Sequence, residues 1–126
     1  MKSIRILFTI AALYDGVLGI AFLFFGARVF ERFGVVPPNH MGYVHFPATL
    51  LIVFAIMFLT IAASPNRHRN LIVYGIMLKI CYCGVVTYHW MATGVPGMWK
   101  PFVAMDFVFA VLFVLAYAKL PRRSLH

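Results

Sequence analysis

The sequence predicts an all-α protein: an integral membrane four-helix bundle with a short interfacial helix after the first span. Three observations predict it. First, 63% of the 126 residues are hydrophobic and only 11% are charged, with a mean hydropathy of +0.93. Soluble domains lie nearer half apolar and a quarter charged. Second, the apolar residues fall into four long runs, each of a length that crosses about 30 Å of hydrocarbon. Third, the Lys and Arg residues behind the net charge of +8 stand, Lys79 apart, singly or in pairs at the ends of those runs. That placement follows membrane topology, and without a basic stripe interleaved with aromatics it argues against a nucleic-acid surface. Residues 1–126 read as a single transmembrane domain with spans at about 4–25, 43–63, 71–90 and 101–118.

The first span, Ile4 to Phe25, covers about 33 Å as a helix. Lys2 and Arg5 before an apolar run imitate a signal peptide, but the run is too long, holds Asp15 and is followed by no A-x-A pattern. A retained helix is expected. At helical spacing the face of Asp15 carries Phe8, Ala11, Gly19, Phe22 and Gly26, small enough in places for another backbone to approach closely. ARVFERF follows, amphipathic and charged, and reads as one or two turns in the interface that stop at Gly34. Pro37-Pro38-Asn39 then forces a turn.

The second span, Tyr43 to Ala63, takes Pro47 in its first turns, where a missing N–H costs little. Ser64-Pro65-Asn66 breaks it, and Arg67, His68 and Arg69 form a basic turn. The third span, Leu71 to Trp90, holds Lys79 on a face with Ile72, Gly75, Tyr82, Cys83, Val86 and Trp90, and with His89 at its edge. Trp90 and Trp99 bracket the next loop, as an aromatic belt would. The fourth span, Pro101 to Ala118, carries Asp106 on a face with Phe102, Phe109, Ala110, Phe113 and Tyr117. The tail, KLPRRSLH, is basic and expected to fray. Lys2, Arg5, Arg67, Arg69, Lys119, Arg122 and Arg123 lie on one side of the bilayer, against Arg28, Arg32 and Lys100 on the other. This asymmetry puts both termini in the cytoplasm.

The informative residues are the charges inside the runs. The chain has only three acids, and two of them, Asp15 and Asp106, sit in apolar spans, as does Lys79. A lone charge at mid-bilayer costs about 2.5–3.5 kcal/mol on insertion scales, so the three are expected to face one another rather than lipid. Asp15 and Lys79 lie about 16 Å and 12 Å from the cytoplasmic ends of their spans, close enough to pair, whereas Asp106 starts about 8 Å from the outer end of its own. Helical side chains lean toward their N-terminus. Asp15–Lys79 is therefore the expected direct pair, with Asp106 bonding Tyr82, Tyr14, another hydroxyl or water. Tyr14, Tyr82 and His89 complete the candidate binding site with Asp15, Lys79 and Asp106. The competing explanation is that the charges only hold the bundle in register.

Other chemistry is weaker. Cys81 and Cys83 point about 200° apart on a helix, so they neither chelate one metal nor bond each other there. His40, His45 and His89 with Met41, Met91 and Met98 map to the outer side, a donor set that suits copper, but no close repeat fixes a site. Interfacial histidines are commonly caps. No HExxH, GxSxG or phosphate loop is present, and no nucleophilic triad can be assembled.

The stretch DGVLGIAFLFFGARVFERFG, a glycine-bearing span running into a short amphipathic helix, resembles the DoxX-like small bacterial four-span membrane proteins. The resemblance covers about the first third of the chain. It implies a membrane partner of a quinone-linked or thiol-linked oxidoreductase, and it transfers no catalytic residue. The reading from the residues is an intramembrane polar site for a small amphiphile, a lipid or quinone headgroup, in a protein that leans away from being an enzyme. A proton- or ion-coupled transporter acting as an oligomer, and a structural subunit without ligand, remain the alternatives.

Overall fold

The computed structural model describes residues 2–121. Of the tail expected to fray, residues 122–126, with the Arg122 and Arg123 counted above for orientation, lie outside the described residues, whereas Lys119 ends the last helix and Leu120 is buried in the core, where apolar packing holds it. The described chain is all-α: α1 (Lys2–Arg32), α2 (Gly42–Ala63), α3 (Arg69–Ala92), a single 3-10 turn (Gly97–Trp99) and α4 (Lys100–Lys119). All four helices are long and apolar enough to cross a membrane.

The short helix expected after the first span is present, though not as a separate element. It is the last part of α1, beyond a kink at Phe25, whose φ of −126° and ψ of 19° are not helical. The segment ends at Gly34, as its sequence required. Gly34 has φ +66°, and the bonds Val35 N–H to Phe30 O (2.8 Å) and Gly34 N–H to Glu31 O (3.2 Å) close the helix. This is the glycine-terminated Schellman arrangement, which a Cβ would strain.

The helices form two hairpins, α1 packed mainly on α2 and α3 mainly on α4. The first hairpin is closely packed at Gly19. A Cβ there would stand 2.7 Å from the Ala48 carbonyl oxygen and 2.8 Å from Ile52 Cγ1. The second hairpin is tied near its ends by Arg69, whose Nε donates to Tyr117 O at 3.1 Å while its guanidinium lies 3.7 Å from the Tyr117 ring centre.

The hairpins meet unevenly along their length. In the half nearest the termini, Phe8, Phe58, Ile61, Ile72 and Phe113 are fully buried. Phe8 stacks on Phe113 with ring centres 4.7 Å apart, and Phe58 tilts against Phe113 at 5.2 Å. Gly75 makes room for these rings, since a Cβ there would come 2.8 Å from Phe58 Cε1. Gly75→Ala is therefore expected to destabilise the bundle by about 1–3 kcal/mol, despite alanine's better helix propensity. Unfolding in mixed micelles at rising dodecyl sulfate fraction measures this, and an unchanged midpoint would contradict the ring packing. The half nearest the α1–α2 and α3–α4 links stays open and encloses a cavity.

The face assigned to Asp15 is buried as a stripe: Phe8, Ala11, Asp15, Gly19, Phe22 and Gly26. The face of Lys79 divides. Ile72, Gly75 and Lys79 are buried, Tyr82, Cys83 and Val86 are half-buried, and Trp90 is exposed. Residues toward the C-terminal end of α3 pass the open half, where close packing has ceased. The outward faces, such as Ile6, Ile10, Leu13, Val17 and Phe24 on α1, are bare aliphatic and aromatic surface. Such a surface suits acyl chains and not water.

Candidate functional site

Each of α1, α3 and α4 brings one charge to the boundary between the packed half and the open half. The Lys79 ammonium donates to Asp15 Oδ1 at 2.8 Å and to Asp106 Oδ1 at 3.2 Å. Lys79 and Asp15 are each 1% exposed and Asp106 7%, which removes them from any surrounding solvent, lipid included. The rings of Phe109, Tyr14 and Phe58 surround the ammonium at 5.2, 5.5 and 5.8 Å from their centres. Their negative faces add to its stabilisation.

The expected pair Asp15–Lys79 is present. The expectation for Asp106 needs correction: it shares the ammonium rather than bonding Tyr82 or Tyr14. Two physical reasons account for this. The third helix begins at Arg69, two residues before the span boundary read from hydropathy, which places Lys79 about 3 Å farther from the terminal end. The long, flexible lysine stem then covers the remaining axial offset, which a rule for the lean of rigid side chains ignores.

The flanking residues divide. The Tyr82 hydroxyl donates to Trp99 O at 3.2 Å, and Tyr82 lines the cavity. The Tyr14 ring covers Lys79, while its hydroxyl is buried without a hydrogen-bond partner among the described residues. His89 is not brought to the charges. It is exposed, with its ring 5.2 Å from that of Tyr88, because it sits past the edge of the inward face of α3. Trp99, placed by sequence with Trp90 in an aromatic belt, instead turns inward. Its ring stacks on Phe22 at 5.8 Å and meets Phe30 edge-on at 6.1 Å.

Above the charges lies a cavity of about 730 Å³. Asp15, Lys79 and Asp106 contribute to its floor, with Leu18, Leu78 and Phe102 immediately around them. Higher on the wall are Phe22, Val44, Pro47, Leu51 and Val85, and Phe30, Val35, Pro38 and Trp99 close over part of the mouth. The walls are thus almost entirely apolar and the ionisable groups are confined to one end. The volume falls within the range of small-molecule sites.

Sequence reasoning found the charged floor but not the walls. Trp99 carried a signal, as a large aromatic beside the turn residues Gly94, Pro96 and Gly97, and Phe30 stood on the amphipathic stretch after the first span, but only the fold aims them at a common space. Cys81 lines the cavity, whereas the Cys83 thiol donates to Val103 O at 3.5 Å, so the two sulfurs do diverge. His40 Nδ1 accepts from Gly42 N–H at 2.9 Å, a local turn contact. Among the described residues no three His, Cys, Asp or Glu side chains converge as a metal site.

No protein-family model, curated protein or solved structure matches this chain.

Proposed function

We propose that this protein is a small integral membrane protein that binds one amphiphilic molecule, with the polar end at Asp15, Lys79 and Asp106 and the apolar body in the cavity above them. The observation that carries this reading is the polarity gradient of the cavity: apolar walls that close on a buried, hydrogen-bonded ion cluster. Such a gradient matches a lipid or quinone, whose own polarity is concentrated at one end. Buried ionisable groups inside membrane segments mark ligand or proton sites more often than they serve packing alone. The excess of Lys and Arg at the terminal end supports an orientation with both termini in the cytoplasm, and the DoxX-like resemblance suggests a bacterial inner membrane. The cavity mouth then faces the outer leaflet. The likeness of residues 15–34 to DoxX-like proteins supports a role as an accessory subunit of a redox system.

A transporter would need a route past Phe8, Phe58 and Phe113, and these rings are fully buried within a single chain. A second copy or a large rearrangement would have to supply that route, so amphiphile binding is the better supported reading.

The test is native mass spectrometry of protein extracted in a mild, non-ionic detergent. A retained lipophilic molecule is expected on the wild-type chain. It is expected to be lost from Leu18→Trp, which sets an indole in the cavity one helical turn from Asp15. Equal retention by a folded Leu18→Trp protein would count against the cavity as the site.

A further inference from the structure

The ion cluster is unbalanced, and the imbalance specifies the ligand more narrowly. One lysine faces two aspartates at the floor, and among the described residues no other Lys, Arg, Asp or Glu lines the cavity. With all three ionised, the floor carries one net negative charge. The hydrogen-bond inventory is unbalanced in the same direction. Two carboxylates offer about eight acceptor positions against the three N–H donors of one ammonium. Two of those donors are already engaged, on Asp15 Oδ1 and Asp106 Oδ1. Asp15 Oδ2 is buried and accepts no hydrogen bond among the described residues. The Asp106 side chain, 10% exposed, is the carboxylate that meets the cavity, and Lys79 engages its Oδ1 alone. The Tyr82 hydroxyl on the wall is spent on the Trp99 carbonyl, and the Tyr14 hydroxyl, without a partner among the described residues, lies outside the cavity lining. The floor therefore has acceptors to fill and little left to donate. A buried carboxylate oxygen left without a donor is costly, and a ligand that supplies one gains that free energy on binding.

Resting on the amphiphile-binding reading above, we propose that the cavity selects an amphiphile whose polar end donates hydrogen bonds, a primary amine or a hydroxyl, and excludes anionic ends. For a quinone-type molecule, this means the reduced, hydroxyl-bearing form over the oxidised form, whose carbonyls only accept. A phosphate or carboxylate end would set a second negative charge against the floor at low dielectric, where like charges repel strongly. It would find only the third N–H of Lys79 to receive it. An ether or ketone end would leave the second Asp106 oxygen without a donor. An ammonium or hydroxyl end satisfies the second Asp106 oxygen, and the ammonium also offsets the net charge.

The test uses four single-chain probes of one chain length: dodecylamine, dodecanol, dodecyl methyl ether and dodecanoate. Each is offered at equal mole fraction in phosphatidylcholine nanodiscs holding the full-length protein. Occupancy is read by native mass spectrometry, and the occupancy of Leu18→Trp is subtracted as surface adhesion. The amine and the alcohol are expected to reach half occupancy at concentrations about tenfold lower than the ether and dodecanoate, the scale set by one hydrogen bond to a charged acceptor. Asp106→Asn removes the net charge and adds an amide donor, so it is expected to strengthen dodecanoate binding by about tenfold. Ether binding as tight as the alcohol, or dodecanoate binding as tight as the amine, would overturn the donor requirement while leaving the cavity reading intact. Occupancy no higher than that of Leu18→Trp for all four probes would remove the cavity reading, and this inference with it.

Discussion

Lys79→Met is expected to destabilise the folded bundle by about 3–5 kcal/mol, the scale seen when one partner of a buried ion pair is removed. Methionine fills a similar volume, so the loss is electrostatic. Asp15 and Asp106 would be left as two carboxylates facing one small space, each stripped of the hydrogen bond it accepts from Lys79. Asp15→Asn/Lys79→Met/Asp106→Asn, which leaves no ion behind, is expected to lie within about 1 kcal/mol of wild type, because neutralising a whole buried cluster costs far less than breaking it. Unfolding in mixed micelles at rising dodecyl sulfate fraction compares the two proteins directly. The triple variant also separates function from architecture. If it folds but no longer retains the molecule that the wild type carries, the cluster is a recognition element. If it folds and retains that molecule, the charges serve packing alone.

A second large effect is expected at Gly19. The Ala48 carbonyl oxygen would lie 2.7 Å from a Cβ placed there, and Leu51 Cβ would lie 3.2 Å away. Backbone cannot swing aside as a side chain can, so Gly19→Leu must prise α1 from α2. About 3 kcal/mol or more of overpacking strain is expected. Ala48 and Leu51 also line the cavity, so retention of the bound molecule should fall together with stability. Gly84 is the internal control. A Cβ there meets nothing within 4 Å, and Gly84→Ala should be neutral or stabilise by up to about 1 kcal/mol through helix propensity. Equal unfolding midpoints for Gly19→Leu and Gly84→Ala would show that α1 and α2 do not meet at this contact.

These two sites differ in how much of them was legible in the sequence. Gly19 could be assigned to the inward face of α1, since it repeats one turn from Asp15 and Phe22, but nothing in a helical repeat says which neighbouring backbone it meets. Asp15, Lys79 and Asp106 could be assigned to a common interior because each breaks an otherwise apolar run. Their detailed pairing could not. It depended on where α3 begins, at Arg69, and on the reach of one flexible stem. His89 shows the same weakness in reverse. It lies near the face of Lys79 on a helical wheel, yet that face turns away from packed protein before reaching it, and the imidazole is left outside.

What the sequence by itself determined is the solvent and the polarity of the interior. Hydrocarbon solvates no charge, so runs of this length holding so few ions had to become spanning helices, with those ions turned inward. Only the tertiary structure decided that the interior is packed at one end and open at the other. That outcome comes from side-chain volumes summed across four helices at each depth. Phe8, Phe58, Phe109 and Phe113 fill one half. In the other, Phe30 from the end of α1 and Trp99 from the 3-10 turn reach across and leave the centre vacant. No single helix carries that sum, because each contributes only its own stripe, and the space between stripes exists only once the hairpins have met.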